Sequence, residues 1–330
     1  MGSTSYHDDF YHDRAAHRAA TGTPTFVHDH AVRLGTAKSA LHDTLNIHGK
    51  IREARDSKEH PESTPIGVIF DVTGSMAGVP MQMQAKLPQL MGLLLRKAYI
   101  KDPQILFGAI GDYFSDRVPL QIGQFESGIE MDDNLTHVYL ERGGGGTYEE
   151  SYQNAMYFFA HRTSCDAWEK RGKKGYLFII GDEKPYPRST KDELAKLIGD
   201  GAQDDVSLKE IVAAALEKWN VFFIIPKGTN HFGDPELRKC WANLLGDQHV
   251  IMLEDPDAVC ETIGVAIGLC EGTTTGDRMK RDLDDVGTSA TIASVTTRGL
   301  EGLAKSTALA TLGTGSLPEK TERSTATRRL

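Results

Sequence analysis

Short apolar runs rich in β-branched and aromatic residues recur along the chain, separated by stretches with helical spacing. Such runs are typical of strands that are covered on both faces of a mostly parallel sheet. The predicted strands span residues 66–70, 104–110, 118–122, 176–180, 221–225 and 249–253. Because they alternate with helical patterns, the predicted fold class is α/β, a doubly wound, Rossmann-like sheet with helices on both faces.

Only a short turn, residues 111–116, separates the second predicted strand from the third. A parallel neighbour needs a crossover of about a dozen residues or more, so these two strands are predicted to form an antiparallel hairpin. We therefore expect a six-stranded, mostly parallel sheet in the order 3-2-1-4-5-6, in which the third strand is an antiparallel edge.

The two ends of the chain lack a sustained apolar period. Residues 1–30 carry five histidines among polar residues and are predicted to be a flexible arm, and residues 271–330 are rich in Thr, Ser and Gly and are predicted to be a flexible tail. Residues 31–61 have apolar positions at near-helical spacing and are predicted as a helical extension. The α/β domain is expected over residues 62–270, and both ends are expected to be removable without unfolding it.

Composition narrows the classes of function. The net charge of -9 argues against a nucleic-acid surface, which needs a concentrated basic face. No apolar run reaches the roughly 18 to 20 residues of a membrane span, and the amino terminus lacks the apolar core of a secretory signal. We therefore expect a cytoplasmic protein with no membrane partner. The four cysteines are widely spaced and form no C-x-x-C pair, which predicts neither a zinc site nor a disulfide framework.

The first predicted strand leads into the sequence DVTGSM, residues 71–76. Asp71, Thr73 and Ser75 alternate through this turn, and three oxygen side chains at such spacing can converge on one hard cation such as Mg2+. The same residue types can instead cap the helix that follows, since Asp and Ser satisfy free N–H groups at a helix start. The stretch alone supports metal binding and capping equally.

The sequence Asp-x-Thr-Gly-Ser-Met resembles the first segment of the metal-ion-dependent adhesion site (MIDAS) of von Willebrand factor A (VWA) domains, which usually reads Asp-x-Ser-x-Ser. Thr73 keeps the hydroxyl group of the family's first serine. The resemblance covers about residues 62–270 and implies a VWA domain of the intracellular type. In that family the site takes two more ligands, a Thr and an Asp, from later loops.

Two residues of this sequence fill those places. Thr147 follows four consecutive glycines, as the family's threonine follows a glycine-rich turn, although Thr147 and Glu150 also have the spacing of a capping box. Asp182 follows the apolar run 176–180 and corresponds to the family's Asp at a strand end. The resemblance therefore implies a metal site made of Asp71, Thr73, Ser75, Thr147 and Asp182.

The resemblance also implies what the site binds. The expected cation is Mg2+, with Mn2+ or Ca2+ as alternatives, and one coordination position stays open for an Asp or Glu of a protein partner. Intracellular members of the family often work beside AAA+ ATPases in assembly complexes. The implied function is a metal-dependent protein-interaction module, with an adaptor to such an ATPase as one form of it.

Signatures of common enzymes do not occur in the sequence. The first strand is not followed by Asp-x-Asp, since residue 73 is Thr, and the glycine run leads to Thr147 rather than to the Lys of a phosphate-binding loop. The five implied ligands include no good base near neutral pH, so no enzyme is expected. A metal-dependent hydrolase that uses Asp112 or Glu183 as its base remains the alternative.

Overall fold

The computed structural model describes residues 7–76, 78–143 and 148–314 of the chain. The strands are β1 (Arg52–Ala54), β2 (Thr64–Asp71), β3 (Pro103–Ile110), β4 (Leu120–Ile122), β5 (Glu149–Glu150), β6 (Thr163–Cys165), β7 (Gly175–Ile180), β8 (Lys184–Pro185), β9 (Arg188–Ser189), β10 (Val206–Ser207), β11 (Trp219–Pro226) and β12 (Val250–Leu253). The α-helices are α1 (Asp8–Thr21), α2 (Val27–Arg33), α3 (Val79–Ala85), α4 (Leu87–Met91), α5 (Glu130–Thr136), α6 (Tyr152–His161), α7 (Asp166–Arg171), α8 (Lys191–Leu197), α9 (Leu208–Lys218), α10 (Pro235–Leu245), α11 (Val259–Cys270), α12 (Met279–Asp285), α13 (Ala290–Gly299) and α14 (Glu301–Thr314).

The central sheet has six strands in the order β12, β11, β7, β2, β3, β4. In the numbering of the predicted strands this order reads 6-5-4-1-2-3. All neighbours are parallel except β4, which runs antiparallel to β3 at the edge. The prediction of an antiparallel hairpin is confirmed, although β4 is two residues shorter than the predicted strand 118–122.

The strands of this sheet are buried on both faces, so consecutive side chains pack into different hydrophobic cores. In β2, Val68 and Phe70 lie in the core that α4 and α11 cover, whereas Ile69 lies in the core that α6 and α9 cover. Gly67 has no side chain on the second face, and the ring of Phe159 occupies the place that a Cβ would take. The mixed α/β class with helices around a mostly parallel sheet is therefore as expected.

Helix α1 packs on the domain, which differs from the flexible arm predicted over residues 1–30. Tyr11 is buried, and its hydroxyl group donates to the carbonyl oxygen of Gln84. Arg18 of the same helix pairs with the fully buried carboxylate of Asp132 in α5, 3.2 Å away. These contacts join polar groups that are distant in sequence, and they leave little apolar period from which a packed helix can be predicted.

Residues 31–61 differ from the predicted helical extension. Helix α2 ends at Arg33, and turns lead from it to β1, which pairs in parallel with β6. Leu45 and Ile47 are buried here, but Leu45 lies in a turn and Ile47 in an irregular segment, and not on one face of a helix. Each of these side chains is buried separately, and over a short stretch the spacing between them happens to match that of a helix.

The predicted tail 271–330 forms helices α12, α13 and α14 up to residue 314, and residues 315–330 lie outside the described part of the chain. These helices bury side chains in the core that contains α11, among them Met279, Leu283, Ala293 and Leu300. Apolar residues are few among the Thr, Ser and Gly of this segment, so its composition predicted disorder. The structure instead shows helices that pack on the core.

The helix predicted to begin at Thr147 begins later, at Tyr152. Glu149 and Glu150 form β5, which pairs in parallel with β8. Thr147 lies outside the described residues. The spacing of a capping box therefore does not place Glu150 in the first turn of a helix, because pairing with a distant segment takes precedence over local propensity.

The four cysteines are free, in agreement with their wide spacing. Cys165 and Cys260 are buried, and burial raises the pKa of Cys165 to about 12, so its thiol stays protonated at neutral pH. In the described ranges, no helix has both the length and the apolar character that crossing a membrane requires.

We predict that Leu283→Ala destabilises the protein by about 2 to 5 kcal/mol, the usual cost of a cavity at a fully buried leucine. The matched control is Leu309→Ala in α14, where the leucine is 69% exposed, and its effect should stay within about 0.5 kcal/mol. Urea unfolding of the full chain measures both. Equal unfolding midpoints for the two variants would show that the carboxyl-terminal helices do not belong to the core.

We also predict an acid sensitivity centred on His42, which stacks on His137 with ring centroids 3.9 Å apart. Burial, with the nearby imidazoles of His137 and His28, lowers the pKa of His42 to about 4. The unfolded chain binds this proton below about pH 6.5, so stability falls as the pH drops from about 6.5 towards 4. His42→Gln should flatten this fall in thermal unfolding, whereas the exposed His30→Gln should not. Parallel curves for the wild type and His42→Gln contradict the prediction.

Candidate metal site

The candidate site lies at the carboxyl edge of the central sheet, where β2 and β7 end side by side. Asp71 is the last residue of β2 and is fully buried. Its Oδ1 accepts the backbone N–H of Thr73 at 2.7 Å, a bond that turns the chain into the short 3-10 helix Gly74–Met76. Its Oδ2 accepts the hydroxyl group of Tyr152 at 3.0 Å. These two bonds fix the orientation of the carboxyl group.

The hydroxyl group of Thr73 is a further oxygen at this edge. Thr73 is 3% exposed, and its Oγ1 has no hydrogen-bond partner among the residues that the structure describes. The hydroxyl lies near the Asp71 carboxylate but outside the geometry of a hydrogen bond. A buried hydroxyl group without a partner costs about 1 to 3 kcal/mol, which coordination of a cation would offset. Ser75 follows in the 3-10 helix.

Asp182 follows β7 and reaches the same edge of the sheet. It is fully buried, and its Oδ2 accepts the backbone N–H of His231 at 3.1 Å. Gly181 leaves room for Tyr152, whose hydroxyl group occupies the place that a Cβ of residue 181 would take. A larger residue at this position would displace the tyrosine that bonds to Asp71.

A two-stranded ribbon of β5 and β8 brings two more acids to the site. Glu149 is paired with Lys184 and Glu150 with Pro185, in parallel register. Glu149 is exposed whereas Glu150 is only 1% exposed, because consecutive residues of a strand point to opposite faces. Glu183, directly before β8, is half-buried. The ribbon thus joins the loop after the glycine run to the loop after β7.

Carboxylate oxygens of Asp71, Glu150 and Glu183 lie within 4.8 Å of one another. Burial raises the pKa of all three groups, and the charges of neighbouring acids raise it further. For Glu183 the pKa is raised to about 8. The cluster resists full ionisation on its own, and a hard cation that prefers oxygen ligands would relieve this repulsion.

The structure unites part of the predicted ligand set. Asp71 and Thr73 lie together, and the Asp182 carboxylate is close enough to help raise the pKa of Asp71. Thr147 falls outside the described residues. Glu150 was missed as a site residue because the capping-box spacing assigned it to a helix start. The sequence signal for Glu150 would be the alternation of buried and exposed residues along a strand, but β5 has too few residues to show it.

The turn between β3 and β4 adds Asp112 and Asp116 at the rim of the site. Asp112 is 2% exposed, and its Oδ1 accepts the hydroxyl groups of Tyr186 at 3.1 Å and Ser151 at 3.4 Å. The Oδ2 of Asp116 accepts the backbone N–H of Asp112 at 2.7 Å. Both acids are near enough to raise the pKa of Glu183, so the turn belongs to the same acidic edge.

An ion pair between a buried carboxylate of the amino-terminal region and a half-exposed arginine supports the loop after β2. Asp29 of α2 is 2% exposed, and its Oδ2 accepts a hydrogen bond from the Arg142 guanidinium at 2.8 Å. The backbone N–H of Arg142 donates to the carbonyl oxygen of Val72 at 3.1 Å, and that of Gly74 donates to the carbonyl oxygen of Gly143 at 2.6 Å. Asp29 therefore holds Arg142, and the backbone of Arg142 and of the next residue is hydrogen-bonded to Val72 and Gly74 in the loop after β2.

Comparisons with known proteins do not assign a family. No family model and no curated protein matches the chain. The pilus adhesin SpaC from Lactobacillus rhamnosus GG, in its open conformation, is similar with a TM-score of 0.45 and 9% sequence identity, over 68% of this chain and 31% of that chain. Proximal thread matrix protein 1 from the mussel byssus is similar with a TM-score of 0.37 and 9% identity, over 71% and 46% of the two chains. This chain spans less than half the length of either protein, and the likeness carries no argument about function.

We predict that Asp29→Asn lowers the free energy of unfolding by about 1 to 3 kcal/mol, since it weakens hydrogen bonds between a buried carboxylate and the guanidinium groups of Arg33 and Arg142. Urea unfolding in the presence of a chelator isolates this effect from metal binding. The control, Asp43→Asn, changes an exposed carboxylate and should stay within about 0.5 kcal/mol of the wild type. If Asp29→Asn leaves the free energy of unfolding unchanged, the structural role of the ion pair is contradicted.

Proposed function

We propose that this chain is a metal-dependent protein-interaction module of the VWA type. In this proposal a MIDAS of Asp71, Thr73, Ser75, Thr147 and Asp182 binds Mg2+, or Mn2+ or Ca2+ in its place, in a doubly wound, Rossmann-like domain. The observation that carries the proposal is the buried Thr73 hydroxyl group, which has no partner among the described residues and lies beside the Asp71 carboxylate at the carboxyl edge of the sheet. Doubly wound sheets bind their ligands at this edge.

The partner in this proposal is a protein that supplies an Asp or Glu to the cation. Mg2+ keeps water molecules in its coordination shell, and a carboxylate can replace one of them. Phe114, 66% exposed, lies at the rim with its ring centroid 5.2 Å from that of Tyr186, and exposed aromatic side chains are favoured at protein interfaces. We place the module in the cytoplasm, as an adaptor to an AAA+ ATPase or an assembly complex.

One observation favours a second candidate, a metal-dependent hydrolase. Glu183 lies in the acidic cluster, where burial and neighbouring acids raise the pKa of its carboxyl group to about 8, so its ionised form is a stronger base towards an attacking water molecule than an ordinary carboxylate. Asp112 is the less favoured base because its oxygens already accept several hydrogen bonds. Hydrolysis of p-nitrophenyl phosphate and p-nitrophenyl acetate with Mg2+, by the wild type but not by Glu183→Gln, would favour this candidate.

We predict that Mg2+ raises the thermal stability of the wild type and not that of Asp71→Ala or Asp182→Ala. Ligand linkage gives about 2.7 kcal/mol at a concentration of about 100 times Kd. In chelator, both variants should be at least as stable as the wild type, because each removes one of several mutually repelling buried acids. Thermal unfolding with Mg2+ and with chelator measures both effects.

The same variants test partner binding. A pulldown from the native host in Mg2+ should capture a partner that chelator releases and that neither Asp71→Ala nor Asp182→Ala retains. The control Asp277→Asn, which changes an exposed acid far along the chain, should bind as the wild type does. No response of the wild type to Mg2+, together with full partner binding by Asp182→Ala, would refute the metal-site proposal.

A further inference from the structure

The β5–β8 ribbon directs one glutamate of an adjacent pair into the site and the other to the surface. Glu149 and Glu150 have the same side chain and the same backbone setting, yet only Glu150 is buried. Its Oε1 accepts the backbone N–H of Ser151 at 2.9 Å, which leaves Oε2 for another ligand. Burial of an ionised carboxylate beside the buried Asp71 is unfavourable, and a bound cation would compensate for it.

The spacing of the acids is that of ligands to one ion. Two oxygens on opposite sides of a bound Mg2+ are about 4.2 Å apart, and those around Ca2+ are about 5 Å apart, twice the metal–oxygen distance in each case. The oxygens of Asp71, Glu150 and Glu183 lie within 4.8 Å of one another. The unpartnered Oγ1 of Thr73 is an independent sign of a ligand here, since it is a buried neutral oxygen beside Asp71, which belongs to this group of acids.

We infer that Glu150 and Glu183 bind the cation directly, together with Asp71, and that the isolated chain holds the metal before any partner arrives. The inference rests on the metal site of the proposed function and adds two ligands to it. Three carboxylates more than balance the charge of a divalent cation, so its affinity does not depend on a carboxylate from outside. Metal binding should therefore be measurable on the purified chain alone.

The test is a titration of the purified full chain with Mn2+, in which electron paramagnetic resonance detects the free ion, followed by competition with Mg2+ and Ca2+. Glu150→Gln and Glu183→Gln should each raise the Kd for Mn2+ at least tenfold. The matched control is Glu149→Gln, whose Kd should stay within twofold of the wild type. Unfolding in chelator checks the fold, and Glu150→Gln should be no less stable than the wild type.

The outcomes distinguish a failure of the inference from a failure of the proposed function. If Glu150→Gln and Glu149→Gln bind Mn2+ equally while Asp71→Ala does not bind it, the metal site stands and the role of Glu150 is refuted. If Glu150→Gln fails to fold, the half-buried Glu183→Gln carries the test, and an unchanged Kd for it refutes the inference. If the wild type binds none of the three cations, the inference and the proposed metal site are both overturned.

Discussion

Burial of the Asp71 carboxyl group is the constraint on which the candidate site depends. The group ends the central strand of the sheet and accepts hydrogen bonds from the neutral N–H of Thr73 and the neutral hydroxyl of Tyr152. Neutral donors compensate only partly for removing a carboxylate from water, and a nearby Asp182 adds repulsion. The surroundings accommodate this acid at a cost, with Gly181 making room for the tyrosine. A site that tolerates such a cost is typical of a binding centre rather than of a hydrophobic core.

The amino-terminal region supports the candidate site. Asp29 links α2 through Arg142 to the backbone beside Val72, and Gly74 is bonded to the residue after that arginine. Arg142 itself has a φ of 58°, in the left-handed region that a non-glycine residue rarely adopts, and the surrounding bonds hold it there. Removal of α2 would leave the Arg142 guanidinium without Asp29 and would remove one of the bonds that hold this backbone conformation. The domain therefore includes segments that precede and follow the sheet strands in the sequence. Its boundaries are set by contacts and cannot be read from composition.

The strands could be predicted from the sequence because each is a short apolar run that is buried on both faces, a property that needs no knowledge of its neighbours. The acidic edge could be predicted only where an acid ends such a run, at Asp71 and Asp182. Glu150 could not, since its position is decided by pairing with Pro185, 35 residues away, and its local sequence favours a helix start. Helices α12 to α14 were missed for a related reason, because isolated apolar residues such as Leu283 gain their significance only from the core that receives them.

In the proposed metal site, the number of acids determines what a partner could contribute. With only Asp71 and Asp182 as charged ligands, a divalent cation is just neutralised, and a carboxylate from a partner binds a strongly electrophilic ion. With Glu150 and Glu183 added, the protein supplies more negative charge than the cation carries, and a further carboxylate enters against net repulsion. Metal affinity and partner affinity then change in opposite directions. In the proposed site, replacing Glu150 by a neutral residue would weaken the hold on the cation but leave each bound cation more attractive to an incoming Asp or Glu, so the glutamates would set the balance between a stable metal centre and a reversible contact.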